Sequence, residues 1–537
     1  MKKFAYCAIG VLLFSLCGCD TLDLAPEDYN GAGNYWQNAG QVSTFMNGLH
    51  VHLRGDYSSQ VVLGELRGGT MCNGTSSINT SLDYSSVIRN DLRTTSTGVG
   101  NWNGYYARIL QVNHFIEEVE NNCPFLSDTE RKGYLAKVYG MRAYYYFMLY
   151  RTYGGVPLED KIKVLNGTVD APSLYLERSS AEDILQFIKD DIKRSEDAFG
   201  DTEEFDKYHW SRYATLFLKA QVYMWSAKVS TNDDKKAHIA TGEADLLIAE
   251  KALNDIIIST KFDLMDNYAD VFDYKKKASN IESILSLYFD HTETTHWGAN
   301  FVYTPSIVVG SYYDKQGELM KDVLGLGTTG IVRYEWKESF VKSFDETDTR
   351  RAATFLEYYK EKDKESNELK GFGSSMLKLL GHIEEGRRVF DNDIVLMRYA
   401  DVLLMMAEVA NGLHKPCASY INEIRERAYG DNFAEDLKYT DGTYAENELA
   451  ILKERDKEFV GEGKRWFDVV RMHDGNQKPL VFSADAAYPD ELGGARSSVL
   501  KSSEQYKLLW PIEVGLMTDD PKLKQTWGYN LAEGIED

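Results

Sequence analysis

Aromatic side chains are the residues of this chain best suited to ligand-binding chemistry. Phe, Trp and Tyr make up 12% of the 537 residues, and tyrosine alone occurs 35 times. Tyrosine and tryptophan carry a flat apolar face with a polar edge, and such a face complements the C–H side of a sugar ring. Most of these rings are expected to pack in the core, so their abundance is only a first indication of carbohydrate binding.

The chain lacks the sequence patterns of the common catalytic and metal sites. It has no Gly-x-Ser-x-Gly elbow, no His-Glu-x-x-His pair and no phosphate loop ending in Lys-Ser or Lys-Thr. The run Asp391-Asn392-Asp393 lacks the later ligands of a calcium loop. With 83 acidic residues, some carboxylate pair of the kind that glycosidases use is inevitable and therefore uninformative. We expect no catalytic residue, no cofactor and no metal ligand.

Charge and cysteine content exclude further classes of protein. The formal net charge is −23, which argues against nucleic-acid binding, because that depends on cations that neutralise phosphates. It also argues against electrostatic attachment to anionic lipid. Beyond residue 19 only Cys72, Cys123 and Cys417 remain, and their wide spacing fits neither a disulfide framework nor a metal cluster.

The first residues have the pattern of a bacterial lipoprotein signal. Lys2 and Lys3 precede an apolar run that ends at Leu16, and Cys19 follows the small residue Gly18. The run is too short to span a membrane, which takes about 20 residues. We expect a signal peptide over residues 1–18, lipidation of Cys19 and a lipid-anchored tether over 19–34. The alternative is an ordinary signal peptide cut elsewhere.

Most of the remaining chain, residues 35–537, has helical periodicity and is expected to form one domain. Apolar residues recur at helical spacing over about 35–260 and 393–475, in consecutive segments typical of stacked helical hairpins. Two stretches interrupt this pattern, at about 54–100 and 262–392, and are expected to be irregular. The sequence therefore predicts an all-α, tetratricopeptide-like scaffold that carries a large loop-rich insertion.

Four ordered motifs identify a family. Residues 137–157 (KVYGMRAYYYFMLYRTYGGVP) resemble the R-A-x-x-Y-x-x-L … G-x-x-P helix of the SusD/RagB outer-membrane lipoproteins. Residues 393–408 (DIVLMRYADVLLMMAE) and 454–471 (ERDKEFVGEGKRWFDVVR) resemble two further family segments. The pair LWPI at 509–512 and QTWGY at 525–529 is similar to the family's closing P-I-P … Q-N-P-G-Y, with Thr-Trp where Asn-Pro is common.

The resemblance implies a non-enzymatic role at the cell surface. Members of this family are lipid-anchored to the outer membrane, face the exterior, and cover a SusC-like TonB-dependent transporter to which they pass a bound glycan. Two alternatives remain open at this point: a peptide-binding lid of the same fold, and a lipid-anchored α-helical glycoside hydrolase or lyase.

The resemblance also places the ligand face in the two irregular stretches. Trp297, which precedes Gly298, is similar to an aromatic-glycine site at which relatives place a stacking ring. The other candidate ligand-binding residues are the rings of Tyr84, Tyr303, Tyr312, Tyr313 and Trp336 and the polar side chains of Arg67 and Asn73.

A separate set of charged residues lies on or beside apolar helical faces, where an unpaired buried charge would cost several kcal/mol. We expect these residues to form ion pairs that join helices rather than to bind ligand; they are Arg142, Arg398, Glu408, Glu458, Glu462 and Arg465.

Overall fold

The computed structural model describes residues 35–77, 84–99, 102–162 and 170–530. The predicted signal peptide, Cys19 and the tether over 19–34 lie outside these residues. Among the helices of the described segments, none combines the length and the apolar character needed to cross a bilayer.

Helices dominate the described chain, as the periodicity predicts. They are α1 (Ala39–Gly64), α2 (Ser85–Ile88), α3 (Asn103–Asn121), α4 (Asp128–Tyr153), α5 (Ala171–Leu174), α6 (Ala181–Phe199), α7 (Arg212–Lys228), α8 (Glu243–Ile257), α9 (Pro305–Val308), α10 (Glu338–Val341), α11 (Thr349–Thr354), α12 (Tyr399–Gly412), α13 (Ala418–Tyr429), α14 (Tyr444–Glu458), α15 (Arg465–Arg471) and α16 (Val514–Asp519).

Local sequence fixes where the long helices begin. Ser127 caps α4, because its side-chain oxygen accepts the backbone N–H of Glu130. The Glu130 carboxylate in turn accepts the backbone N–H of Ser127. Thr443 and Glu446 form the same reciprocal pair at the start of α14. Each pair satisfies two N–H groups that have no partner within the helix.

The long helices stack in sequence order. Helix α4 packs against α3 and α6, α7 packs against α6 and α8, and α12 packs against α8, α13 and α14. Each apolar helical face is thus covered by the next helix, as in a helical-hairpin array. The predicted all-α, tetratricopeptide-like class is confirmed.

One predicted boundary is wrong. Residues 54–64 were expected to begin an irregular stretch, but α1 continues without interruption to Gly64. Gly64 lies against the chain at Gly463, whose carbonyl oxygen would be 1.8 Å from a Cβ at residue 64. The adjacent Glu65 carboxylate accepts the N–H groups of Gly461 and Gly463, both at 3.2 Å. Burial raises the pKa of Glu65 to about 7.

The predicted irregular region 262–392 contains more regular structure than expected. The strands of the described chain are β1 (Met71–Asn73), β2 (Ser283–Leu287), β3 (Tyr313–Asp314), β4 (Tyr334–Trp336), β5 (Phe355–Lys362), β6 (Leu369–Met376), β7 (His382–Glu384), β8 (Arg387–Val389) and β9 (Ile394–Arg398), of which β2 to β8 lie within this region. They pair antiparallel, β1 with β4, β2 with β9, β7 with β8, and β5 with both β3 and β6. The insertion is therefore a set of small sheets packed on the helices.

Buried ion pairs join elements of the scaffold, as the sequence predicts. The fully buried Arg398 lies 2.6 Å from Glu282, 2.7 Å from Glu458 and 2.9 Å from Glu462. Burial alone would raise the pKa of Glu458, but the surrounding guanidinium groups outweigh it and hold that pKa well below its ordinary value. Arg398 thereby links β9 to the end of α14 and the turn that follows it.

The other predicted charges are paired in the same way. Arg142 on α4 lies 2.6 Å from Asp191 on α6. Arg471 on α15 lies 2.7 Å from Glu408 on α12, and Arg465 on α15 pairs with a carboxylate of α14 at 2.6 Å. These contacts confirm that the charged motif residues hold helices together.

Candidate ligand-binding site

A cavity of about 890 Å³ opens between α1 and the segment that leads to Trp297. Residues 51–63 of α1 supply one wall, and Phe289 with residues 293–297 supplies the opposite one. The remaining described residues of the lining are Tyr84, Val99, Tyr105, Tyr153 and Arg333. The volume lies within the range of about 300–1,000 Å³ that is usual for small-molecule sites.

His296 fixes the backbone that presents Trp297. Its Nδ1 accepts the N–H of Gly298 at 3.1 Å, and its Nε2 donates to the side-chain oxygen of Asn392 at 3.0 Å. Burial lowers the pKa of His296 to about 4. A neutral imidazole has one donor and one acceptor nitrogen, which is what these two partners require.

Gly298 allows this turn to pack against a later part of the insertion, at Leu379 and Phe390. A Cβ at this position would lie 2.3 Å from the Leu379 carbonyl oxygen and 2.6 Å from the Phe390 ring. Any larger side chain would therefore displace the turn. The tryptophan-glycine pair is thus a packing requirement that places the indole beside the cavity.

Two partly exposed rings share one buried aromatic support. The Trp297 and Tyr84 rings each lie with their centroid 6.1 Å from that of Tyr334, on β4. Tyr334 is fully buried, so it backs both rings while leaving part of each open to the cavity. Flat ring faces held in this way are suited to stack against the apolar side of a sugar.

Charged groups line the same cavity as these rings. Arg54 of α1 donates to the backbone carbonyl of Tyr288 at 3.2 Å and to the Glu293 carboxylate. The Arg54 side chain is 11% exposed and that of Glu293 is 54% exposed. The hydrogen bond from Arg54 holds the pKa of Glu293 below its ordinary value. The pair links the two walls and offers charged hydrogen-bonding groups to a ligand.

The structure places two of the predicted ligand residues in the cavity and four others in the core. Trp297 and Tyr84 both line the cavity. As a correction, four predicted contacts lie in the core; they are Arg67, Tyr303, Tyr312 and Trp336, with 0%, 0%, 6% and 1% of their surface exposed. Asn73 and Tyr313 are half-buried on β1 and β3 and do not line the cavity.

Each buried residue has a structural partner that explains its position. The Arg67 guanidinium stacks 3.8 Å from the centroid of Trp466 and donates to Asn90 at 2.7 Å. Trp336 packs on Phe301, with ring centroids 5.8 Å apart. Tyr303 and Tyr312 both contact the Tyr358 ring, in a second, smaller core inside the insertion.

Sequence reasoning missed the charged groups of the cavity. Arg54 was overlooked because the sequence assigned the end of α1 to an irregular stretch, and Glu293 and Arg333 carry no local motif. A helix extended to residue 64 would have placed Arg54 one turn from Ser58, on the same face as the cavity wall.

Comparisons with known proteins agree with the fold. The sequence profile of the SusD family matches residues 254–529. A second profile, described as starch-binding and associating with the outer membrane, matches residues 41–224. The SusD-like protein P38 of Formosa agariphila is 26% identical, over 98% of this chain and 100% of its own length.

Solved structures superpose over most of the chain. A SusD superfamily protein of Bacteroides fragilis is 36% identical with a TM-score of 0.82, covering 92% of this chain and 100% of the other. NanU of B. fragilis is 30% identical with a TM-score of 0.79, covering 94% and 100%. Surface glycan-binding protein A of Bacteroides uniformis shares the fold. It is 19% identical with a TM-score of 0.65, covering 91% of this chain and 99% of the other. This chain is a member of the SusD/RagB family.

Proposed function

We propose that this protein captures oligosaccharides in the cavity beside Trp297 and passes them to a SusC-like TonB-dependent transporter. The observation that carries the proposal is the combination, in one open cavity, of two partly exposed rings with the Arg54–Glu293 ion pair. Rings can stack on the C–H face of a sugar while the charged groups bind its hydroxyls. The name of a structural relative, surface glycan-binding protein A, supports the same ligand class.

The expected affinity suits capture and release. An aromatic contact contributes on the order of 1 kcal/mol beyond its buried area. Two such contacts with a few hydrogen bonds correspond to a dissociation constant in the high-micromolar to millimolar range. A ligand held this weakly dissociates readily and can enter a transporter beneath the protein.

The charges of the cavity widen the range of sugars to be tested. Arg54 and Arg333 outnumber Glu293 among the described lining residues, and His296 is neutral. Guanidinium groups bind carboxylates well, so the ligands to be tested include carboxylate-bearing sugars as well as neutral ones.

The cellular setting is part of the proposal. Lipidation of Cys19 would anchor the protein to the outer membrane, facing the exterior, with residues 19–34 as the tether. The profile that matches residues 41–224 is described as associating with the outer membrane, which supports this placement. Co-purification of a large TonB-dependent transporter with the native lipoprotein tests the partnership.

A binding panel tests the ligand class. Purified protein is titrated calorimetrically with neutral oligosaccharides, acidic oligosaccharides and oligopeptides. The proposal expects saturable binding within one of the two sugar groups and no release of reducing ends from polysaccharide. Binding of peptides alone would favour the peptide-binding lid, and release of reducing ends would favour a glycoside hydrolase.

A further inference from the structure

Three side chains from distant parts of the sequence meet beside the segment that carries Trp297. His291 lies in a turn closed by the bridge between Asp290 and Thr294. His382 begins β7, and Asp391 lies just before β9. One ligand atom from each of these three residues falls within 4.8 Å of the others.

The carboxylate lies between the two imidazoles. Its Oδ2 is 3.3 Å from His291 Nδ1, and its Oδ1 is 2.8 Å from His382 Nδ1. Asp391 is fully buried. Ligand atoms bound tetrahedrally to zinc at about 2.0–2.1 Å lie roughly 3.3 Å apart, so side-chain rotations would have to bring the three ligand atoms, now within 4.8 Å of one another, to that spacing.

The far side of the His382 ring is also held in place. Its Nε2 lies 3.1 Å from a Glu384 carboxylate oxygen, and the Tyr274 ring stacks on it with centroids 4.2 Å apart. A carboxylate that accepts the Nε2–H leaves the Nδ1 lone pair of a neutral ring directed at Asp391. The Nδ1 lone pair and the Asp391 carboxylate are both acceptors, so a cation or a proton must lie between them. Metal-binding histidines are commonly oriented by a carboxylate placed as that of Glu384 is.

We propose that His291, His382 and Asp391 bind one divalent transition-metal ion, for which zinc best matches two imidazoles and a carboxylate. Three protein ligands leave a fourth position for water. His291 is exposed, so an ion can reach the site from solvent. No sequence pattern indicates this site, because its ligands follow no short spacing.

The ion would fasten the segment that forms one wall of the cavity. His291 lies between Phe289 and Glu293, which both line the cavity, whereas His382 and Asp391 lie later in the insertion, at β7 and shortly before β9. A metal bond between them would hold this segment against the body of the protein. Only this consequence for ligand capture rests on the proposed function; metal binding itself does not.

Calorimetric titration with zinc alone tests the site. The mature chain, without a polyhistidine tag, is stripped with EDTA, desalted and titrated with zinc chloride, with calcium and magnesium chloride as comparisons. We expect one zinc per chain and no binding of calcium or magnesium. Because loss of an orienting group already costs 10–100-fold in metal affinity, His291→Ala and His382→Ala should each weaken zinc binding by about 100-fold or more.

His209→Ala is the matched control. His209 also pairs with an aspartate, Asp206, at 2.6 Å, but has no third ligand within the described residues, so this variant should bind zinc normally. If a site variant fails to fold, the X-ray absorption edge of zinc on the wild-type chain gives the ligand set, which should contain two imidazoles. Absence of stoichiometric zinc binding, or zinc ligands without two imidazoles, would overturn the proposal. No sugar is present, so either result leaves the proposed glycan function untouched.

Discussion

Replacement of Trp297 by alanine should weaken oligosaccharide binding without unfolding the protein. A tryptophan side chain buries about 150–250 Å² when fully covered, and the partly exposed Trp297 leaves on the order of 60 Å² of this for a sugar. At about 25 cal/mol per Å² that area contributes about 1.5 kcal/mol, and stacking geometry adds about 0.5 kcal/mol. A loss of about 2 kcal/mol raises the dissociation constant about 30-fold.

Calorimetry with the best ligand of the sugar panel measures this change. Trp297→Phe keeps a ring and should lose less affinity than Trp297→Ala. Tyr288→Ala is the matched control, because Tyr288 is an exposed ring of the same segment (39% exposed) that does not line the cavity. Binding by Trp297→Ala as tight as that of wild type would show that this ring does not contact the sugar, and so would an equal loss of affinity in Tyr288→Ala.

Three other results follow from the structure. Tyr84→Ala should raise the sugar dissociation constant about tenfold by calorimetry while the melting temperature stays unchanged. Arg398→Ala should lower the free energy of unfolding by about 3–5 kcal/mol in urea titration, because it leaves buried carboxylates without their cation; an effect below about 1 kcal/mol would contradict this. The melting temperature of wild type minus that of Glu65→Gln should fall as the pH rises from 5 to 8. The raised pKa of Glu65, about 7, contributes stability that is present below its unfolded value of about 4.5 and is lost as the pH rises toward 7, and the glutamine variant lacks this titration. A difference that stays constant or grows from pH 5 to pH 8 would contradict this.

Much of the helical scaffold could be predicted from sequence because its signals are local. Helix α4 combines a capping pair at its start with a broad apolar face and a glycine pair at its end, and the structure places it at Asp128–Tyr153. The end of α1 was missed because mostly small and polar residues at 54–60 interrupt its apolar pattern, and the helix continues to Gly64, which packs against Gly463. The pairing of β5 with β6 depends on contacts within the insertion that no short sequence pattern reveals.

The candidate site was only partly predictable. Trp297 and Tyr84 were found because rings in irregular stretches are good candidates for ligand contact. Tyr303 and Trp336 are also rings in an irregular stretch, yet they are buried, since burial depends on which elements fold over a residue. The ion pairs of the scaffold were easier to predict, because a charge on an apolar helical face must find a partner.

A crystal structure with the best oligosaccharide of the panel shows whether ligand binds in the cavity beside Trp297. We expect a sugar ring stacked on the Trp297 indole inside the cavity, with a hydroxyl or carboxylate group within hydrogen-bond distance of Arg54 or Glu293. A sugar bound on another face of the protein, with the cavity beside Trp297 holding only solvent, would contradict it.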